Sequence, residues 1–183
     1  MNTKLLPLTL ETAPEGSKQV LDQVSKGMGF IPNLFATFAH NPEALKSYLA
    51  LSESFGKAGF SPLEQQVILL TVSRENKCAY CVAAHSAIST MSKLDAGVIS
   101  QLRNGDSLSD QKLEALREFT KRVVSSKGWP DESDIKKLVS AGFNQGHILG
   151  VILGVTMKTL SNYTNHIAQT PLDEAFKPFH WEK

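Results

Sequence analysis

Both cysteines of the chain lie in one short stretch, and a histidine follows the second of them by four residues. The stretch reads Cys78-Ala79-Tyr80-Cys81-Val82-Ala83-Ala84-His85. An α-helix turns by about 100° per residue, so Cys78, Cys81 and His85 share one face if this alanine-rich segment is helical. Two thiols close enough to form a disulfide, beside a titratable imidazole, predict thiol redox chemistry.

A cysteine reacts as its thiolate, and an ordinary thiol, with a pKa near about 8.5, is mostly protonated at neutral pH. Two features of the sequence predict a lower pKa. Asn76 is expected to cap the helix and to put Cys78 in its first turn, where the helix dipole favours an anion. His85 lies one turn beyond Cys81 and is expected to act as its base. The residues alone leave open which thiol has the lower pKa.

Two other interpretations of these residues compete with a redox pair. The cysteines and the histidine offer three ligands for a structural zinc ion, but a closed site needs four, and no second ligand pair lies nearby in the sequence. Alternatively, the thiols are inert and buried beside a hydrogen-bonded core histidine. We expect neither a bound metal nor a cofactor. Gln66, Tyr80 and His147 are candidates to support the site, and for His147 a hydrogen-bonded core histidine is the alternative.

The elements around the cysteines read as helices. Ser61-Pro62-Leu63-Glu64 combines a capping serine, a proline at the first helical position and a capping-box glutamate. The apolar helix that follows, to about Arg74, should be buried beside the cysteine helix. Asn41 and Asn144 are predicted to begin two more helices. No segment alternates apolar and polar residues over the length of a strand, which predicts an all-α fold.

The chain of 183 residues has the length of one ordinary domain, and no linker divides it. We predict a single helical domain over residues 1–183, with an extended lead-in at 1–14 and an ordered tail at 170–183. Gly146, Gly150 and Gly154 form a stripe along one helix. The stripe predicts close helix packing, either within one subunit or between subunits.

Composition and charge argue against several classes of function. The chain is 42% hydrophobic and 20% charged, with a formal net charge of +1 and no dense Lys/Arg run. We therefore expect no binding to nucleic acid or to a membrane. The apolar run at 148–157 is about half the length that a bilayer requires, which predicts a core helix. Pro7 comes before any apolar stretch of signal-peptide length, so we expect a cytoplasmic protein.

Several short motifs together resemble the AhpD-like branch of the carboxymuconolactone decarboxylase family, and in particular its single-domain peroxidase-related members. The motifs are Ile31-Pro32-Asn33-Leu34, Ser61-Pro62-Leu63-Glu64-Gln65-Gln66, Thr71-Val72-Ser73, Cys78-Ala79-Tyr80-Cys81 with His85, Ser161-Asn162-Tyr163-Thr164-Asn165-His166 and Thr170-Pro171-Leu172-Asp173. The resemblance implies an all-α AhpD-like helical bundle that assembles into homo-trimers or homo-hexamers. It also implies reduction of alkyl hydroperoxides, with a separate thiol protein as the reductant.

The resemblance also implies a role for each residue of the motif. Cys81 attacks the peroxide, Cys78 resolves the product to a disulfide, and His85 relays a proton together with an upstream glutamate. At the position of that glutamate, twelve residues before the first cysteine, this chain has Gln66. An amide cannot accept and return a proton near neutral pH. The relay predicts that Gln66→Glu would raise peroxide turnover.

Three functions are compatible with these observations. The first is a peroxidase that uses Cys81, Cys78 and His85. The second is a general dithiol/disulfide exchange protein or redox sensor, with little peroxidase activity because Gln66 replaces the relay glutamate. The third is a non-enzymatic helical binding scaffold whose thiols are inert or hold zinc.

Overall fold

The computed structural model of the chain describes residues 4–182. Within that range it is built of α-helices, a short 3-10 helix and the turns between them, with no β-strand. The helices are α1 Glu15–Met28, α2 Asn33–Phe38, α3 Pro42–Gly56, α4 Pro62–Glu75, α5 Ala79–Met91, α6 Ala96–Asn104, α7 Gln111–Ser125, α8 Glu132–Ser140 and α9 Gln145–Ala168, followed by the 3-10 helix Glu174–Phe179. The all-α prediction is confirmed.

The helix starts that the sequence predicted are present. Ser61 Oγ accepts a hydrogen bond from the Glu64 backbone N–H, and the Glu64 carboxylate accepts one from the Ser61 backbone N–H at 2.8 Å. The Asn41 side chain caps α3, and the Asn144 side chain caps α9. Each cap satisfies backbone donors that a helix N-terminus leaves without a partner, so each of these helices begins where its cap stands.

Helix α4 is the centre of the bundle and packs against α5, α7 and α9. Its apolar side chains from Val67 to Val72 are almost fully buried, as the sequence predicted. Gly150 and Gly154 let α9 approach closely. A Cβ at Gly150 would lie 2.7 Å from the Phe60 ring, and one at Gly154 would lie 2.7 Å from the Phe55 ring. Packing within one subunit therefore accounts for these two glycines.

The start of the cysteine helix differs from the prediction. Lys77 adopts a left-handed backbone conformation with φ 55°, and the Cys78 N–H bonds back to the Ser73 carbonyl at 2.8 Å. These features end α4, so Asn76 is a C-cap of α4 instead of the N-cap of α5. Cys78 is itself the N-cap residue of α5. The expectation that Cys78 lies in the first turn is therefore wrong, and Cys81 lies there instead.

The two ends of the chain lie against the bundle. Residues 4–9 have no regular secondary structure, and the Leu8 N–H donates to the Ala36 carbonyl. Residues 1–3 of the expected lead-in lie outside the described range. The tail carries the 3-10 helix, and Asp173 before it accepts a hydrogen bond from the Asn33 N–H at 3.0 Å. Lys183 also lies outside the described range.

The length and composition of the helices bear on whether one of them could cross a membrane. Among residues 4–182 no single helix is long and apolar enough to do so. The pair Glu132–Ser140 and Gln145–Ala168 reaches the required length and composition together, but the two helices are bent by 112° relative to each other.

Candidate thiol site

Both cysteines are buried and unbonded to each other, and each is 1% exposed. Cys78 stands at the N-terminal cap of α5, and Cys81 lies in the first turn of the same helix. The partial positive charge of the helix N-terminus therefore acts on both sulfurs. This arrangement removes the ambiguity that the sequence left, because the helix terminus no longer favours Cys78 over Cys81.

A polar face of α9 covers the two sulfurs. Asn165 Nδ2 donates to Cys81 Sγ at 3.3 Å and to Cys78 Sγ at 3.8 Å. Ser161 Oγ lies 3.9 Å from Cys81 Sγ. Both side chains are at least 95% buried, since Asn165 is 5% and Ser161 0% exposed. The Asn165 amide N–H groups directed at the sulfurs stabilise the thiolate form.

A buried cation, Lys158, lies one turn before Ser161 on the same face of α9. It is 1% exposed, and its Nζ donates to His85 Nε2 at 2.9 Å. Burial alone would lower the pKa of Lys158, but the nearby Cys81, Tyr48 and Cys78 together raise it. A buried lysine needs such a partner to stay charged.

His85 is held between Lys158 and Gln66. Gln66 Oε1 lies 3.1 Å from His85 Nδ1, so the amide oxygen accepts the Nδ1 proton while Nε2 accepts from Lys158. Both ring nitrogens are thus occupied, and this pattern belongs to the neutral imidazole with its proton on Nδ1. Burial and the Lys158 cation both lower the pKa of His85 well below its usual value.

The pKa values of the two thiols are driven apart. Burial alone would raise the pKa of Cys81, but the hydrogen bond from Cys78 and the Lys158 cation lower it well below the usual value. The hydrogen bond to Cys81 and burial raise the pKa of Cys78. Of the two thiols, Cys81 is therefore the one favoured as a thiolate, whereas Cys78 is favoured as the protonated thiol.

Cys81, but not Cys78, lines a cavity of about 70 Å³. We call it the first cavity. Most of its walls are apolar, and its polar members include His85 and Lys158. The lining residues are Met28, Pro32, Leu34, Phe35, Tyr48, Tyr80, Cys81, Ala84, His85, Ile88, Lys158 and Phe176. An apolar pocket with a few convergent polar groups is the usual form of a small-molecule site.

Tyr80 lies between the two cysteines in sequence but does not bond to either sulfur. Its hydroxyl donates to Asp173 Oδ2 at 2.5 Å and accepts from the Leu34 N–H at 3.2 Å. Burial and the Asp173 carboxylate raise the pKa of Tyr80, so it stays a neutral phenol. Tyr80 therefore joins α5 to α2 and to the tail, and it forms one wall of the first cavity.

His147 is not at the thiol site. It caps α9 together with Asn144 and packs edge-on against the rings of Phe60 and Phe143. Eleven residues separate it from Lys158 on the same helix, which is about 16 Å along the axis. The alternative of a hydrogen-bonded histidine is the one that the structure supports, and His147 is not a supporting residue of the site.

The sequence interpretation missed Lys158 and the roles of Ser161 and Asn165. The signal was present, because these residues are spaced at i, i+3 and i+7 on one helix. That spacing places them on one face. Helical spacing on α9 could therefore have identified a polar face, but the partner of that face depends on how α9 crosses α5.

One of the alternatives required a metal. Within residues 4–182, no group of three or more His, Cys, Asp and Glu side chains is arranged to hold a metal ion. A zinc ion would need a free ring nitrogen of His85. Nε2 already accepts a hydrogen bond from Lys158.

Solved structures of other proteins share this architecture at low sequence identity. An uncharacterized peroxidase-related protein from Ralstonia eutropha JMP134, described as an alkylhydroperoxidase AhpD core, matches with a TM-score of 0.82 at 22% identity over 96% of each chain. An uncharacterized peroxidase-related protein from Silicibacter sp. TM1040 matches with a TM-score of 0.81 at 22% identity, over 96% of this chain and 95% of that one.

An enzyme of a different stated activity has the same fold. The debrominase Bmp8 matches with a TM-score of 0.80 at 18% identity, over 98% of this chain and 97% of that one. A further structure of Bmp8, with one cysteine replaced by alanine, holds 2,3,4-tribromopyrrole. No protein-family model matches the sequence, and no curated protein does. The all-α bundle and these matches over nearly the whole of each chain confirm the expected architecture: the chain has the AhpD-like fold.

Proposed function

We propose that the protein is a thiol oxidoreductase that reduces small hydroperoxides through Cys81 and Cys78. One observation carries the proposal. The sulfur with the lowered pKa, Cys81, is held beside the Lys158 ammonium at the wall of an apolar cavity. A buried thiolate that faces a space for a small molecule has the two properties that a nucleophile needs.

In the first step the Cys81 thiolate attacks the terminal oxygen of the hydroperoxide. An S–O bond forms, the O–O bond breaks, and Cys81 becomes a sulfenic acid. The alkoxide that leaves takes a proton from the Lys158 ammonium and departs as the alcohol. Lys158 thus has two tasks, since it stabilises the thiolate before the step and the leaving oxygen during it.

In the second step Cys78 attacks the sulfur of the sulfenic acid. The S–S bond forms, the S–O bond breaks, and the Cys78 proton leaves with the hydroxide as water. Cys78 suits this role because its higher pKa keeps it protonated while Cys81 reacts. Two equivalents of an external thiol then return the disulfide to two thiols and leave as an oxidised disulfide.

The proposed proton path differs from the relay that the sequence resemblance implied. There, a histidine and a glutamate activate the thiol. Here Lys158 bonds to His85 Nε2, so the imidazole acts on Cys81 through the ammonium and not directly. Gln66 fixes the His85 tautomer through its amide oxygen. A neutral amide is sufficient for that task, because it only has to accept one hydrogen bond.

The direct test is consumption of an organic hydroperoxide with a dithiol reductant. We expect turnover by the wild type, no turnover by Cys81→Ser, and a single turnover followed by sulfenic acid accumulation in Cys78→Ser. The sulfenic acid is detected by trapping with dimedone and mass spectrometry. Equal rates for the wild type and Cys81→Ser would refute the proposal.

The same measurements separate the two alternatives from the sequence. A dithiol/disulfide exchange protein would form and reduce the Cys78–Cys81 disulfide across glutathione poises but would not consume hydroperoxide. A binding scaffold would show an unchanged thiol count both across the glutathione poises and after treatment with hydroperoxide. Thiol counts by mass spectrometry at several ratios of reduced to oxidised glutathione therefore complete the assignment.

A second candidate reaction is reductive dehalogenation of a small aromatic substrate. It is favoured by the apolar first cavity and by the shared fold of a debrominase that binds 2,3,4-tribromopyrrole. The Cys81 thiolate would take the halogen, the aromatic carbanion would take a proton, and Cys78 would displace halide as the disulfide forms. Bromide release from bromopyrroles under dithiol reductant tests this candidate with the same cysteine variants.

Assembly into a homo-trimer or homo-hexamer in the cytoplasm is part of the proposal. The outward side of α9 exposes large apolar side chains, with Leu149 68%, Ile152 46% and Ile167 76% exposed in the single chain. Apolar side chains gathered on one helix face are typical of a subunit contact. The mass in solution, measured by light scattering, gives the number of subunits.

A further inference from the structure

A second cavity reaches the thiol pair at Cys78. It has a volume of about 290 Å³ and includes Cys78 in its lining, whereas the first cavity includes Cys81. Tyr80 lines both cavities. Each sulfur therefore lines a cavity of its own.

The second cavity holds polar atoms without protein partners. Asn165 is 5% exposed, and its Nδ2 is used by the two sulfurs. Its Oδ1 accepts no hydrogen bond from the part of the chain that the structure describes, and the buried Thr170 Oγ1 is unpaired in the same sense. Buried polar atoms in folded proteins nearly always have a partner. Neither atom has accessible surface in the free chain, so an N–H or O–H group of a ligand in this cavity would pair with them after a small shift of these side chains.

The cavity also has a positive rim. Lys77 belongs to its lining, and the side chain is exposed at the left-handed turn that precedes Cys78. The N-terminus of α5 opens into the same space through Ala79 and Tyr80. An ammonium and a helix N-terminus together favour a ligand with a negative group.

The chemistry of thiol exchange favours attack on Cys78, the sulfur that lines the second cavity. An attacking thiolate expels the sulfur with the lower pKa more readily, and approaches on the side opposite to it. Because Lys158 and Asn165 stabilise the Cys81 thiolate, attack on Cys78 releases the better leaving group. The second cavity is the one that reaches Cys78.

We propose that this cavity admits a low-molecular-weight thiol carrying amide N–H groups and a carboxylate, which reduces the Cys78–Cys81 disulfide by attack on Cys78. This inference rests on the proposed redox cycle. The reductant thiolate forms a mixed disulfide with Cys78 while Cys81 leaves as its thiolate. A second reductant thiolate then attacks the reductant sulfur of that mixed disulfide. The products are the oxidised reductant and the Cys78 thiolate, which takes up a proton.

The test measures the two half-reactions separately. The disulfide is formed with diamide, so that it does not depend on peroxide activity, and its reduction is followed with glutathione by counting free thiols. Ala79→Phe places a large ring at the second cavity and is expected to slow this reduction about tenfold or more, without changing the rate of oxidation by hydroperoxide. Ile88→Phe fills the first cavity. It is expected to slow oxidation by hydroperoxide without changing the rate of reduction by glutathione.

The polar contacts have their own readout. Lys77→Asn keeps a residue type that tolerates the left-handed turn but removes the charge. It is expected to slow reduction by glutathione several-fold and to leave reduction by uncharged 2-mercaptoethanol unchanged. Thr170→Val replaces the hydroxyl by a methyl group of similar shape. It should slow reduction by glutathione and leave reduction by 2-mercaptoethanol unchanged.

The outcomes separate this inference from the redox cycle on which it rests. A protein that forms no disulfide with peroxide but is reduced with the expected variant pattern after diamide would contradict the peroxidase proposal alone. If Ala79→Phe leaves reduction by glutathione unchanged, or if Ile88→Phe slows reduction as strongly as Ala79→Phe does, the second cavity is not the entry of the reductant.

Discussion

The Lys158 ammonium donates to His85 Nε2 at 2.9 Å, and the same ammonium stabilises the Cys81 thiolate. Lys158, His85 and Cys81 line the same cavity. Because Lys158 and Cys81 are both buried, each holds the other in its charged form, and loss of either would leave an unpaired charge out of reach of water. The main electrostatic feature of the site is therefore the Lys158–Cys81 ion pair, and not a proton relay.

Lys158→Met tests this pairing. Without the cation, burial dominates and the pKa of Cys81 should rise by at least about one unit. A lowered thiol pKa means that the wild-type thiolate persists as the pH falls below the ordinary thiol range, whereas the variant should lose its thiolate there. The thiolate is followed by ultraviolet absorbance and by iodoacetamide labelling against pH. Lys46→Met, at an exposed ion pair, is the matched control. Coincident titration curves for Lys158→Met and the wild type would exclude the ion pair.

Gln66→Glu tests the environment of the imidazole. The relay pattern predicted that this change would raise peroxide turnover. The structure reverses the expectation, because a carboxylate next to His85 adds a negative charge near the Cys81 thiolate and competes for Lys158. The pKa of Cys81 should then rise by about one unit and turnover at neutral pH should fall.

The control for this change is Gln111→Glu, which adds the same charge in the exposed first turn of α7. It should leave both quantities unchanged. Faster peroxide turnover in Gln66→Glu would restore the histidine–glutamate relay and argue against Lys158 as the dominant group.

Tyr80→Phe tests how the tail is held. The variant loses the hydrogen bond to Asp173 and leaves the Leu34 N–H without its acceptor. Unpaired buried groups of this kind cost about 1–3 kcal/mol in the free energy of unfolding. Urea unfolding measures the loss, and Tyr163→Phe, at a tyrosine 56% exposed, should be neutral. Equal stability of the two variants would show that the Tyr80 hydroxyl does not hold the tail in place.

The sequence predicted much of the fold because its signals are local. Three helix starts are marked by residues whose side chains accept hydrogen bonds from the first backbone N–H groups of the helix: Ser61, Asn41 and Asn144. The start of α5 was misplaced because Lys77 adopts a left-handed conformation, which is uncommon for a residue with a side chain. That single turn decides which cysteine lies in the first turn of the helix.

The site was predicted only where its residues are close in sequence. Cys78, Cys81 and His85 share one helix, and their common face follows from spacing alone. Lys158 and Asn165 reach the sulfurs from a helix about 80 residues away, so their contacts depend on how α9 packs against α5. His147 was proposed as a supporting residue or as a hydrogen-bonded histidine, and helical position alone could not show that its side chain takes part in the cap of α9.

Gly154→Ala tests the close approach of α9. The added Cβ would lie 2.7 Å from the Phe55 ring and 2.8 Å from Ile68 Cγ2, and both neighbours are buried. Overpacking of this kind should destabilise the fold by about 1–3 kcal/mol. Gly27→Ala is the matched control, because its Cβ would meet no atom within 4 Å and alanine favours the helix. Thermal unfolding of both variants gives the comparison, and an unchanged Gly154→Ala would mean that α9 packs less closely than described.

The volume of the first cavity limits the size of the substrate. The first cavity, at about 70 Å³, has room for only a few water-sized groups, so small hydroperoxides should react with Cys81 faster than bulky aromatic ones. Ile88 lines this cavity and is only partly buried, so Ile88→Ala should enlarge it without unfolding the bundle. We expect the ratio of kcat/KM for cumene hydroperoxide to that for tert-butyl hydroperoxide to rise several-fold. Val139→Ala, at a 45% exposed position on α8, should leave the ratio unchanged. An equal ratio in all three proteins would mean that the substrate reaches Cys81 by a route other than the first cavity.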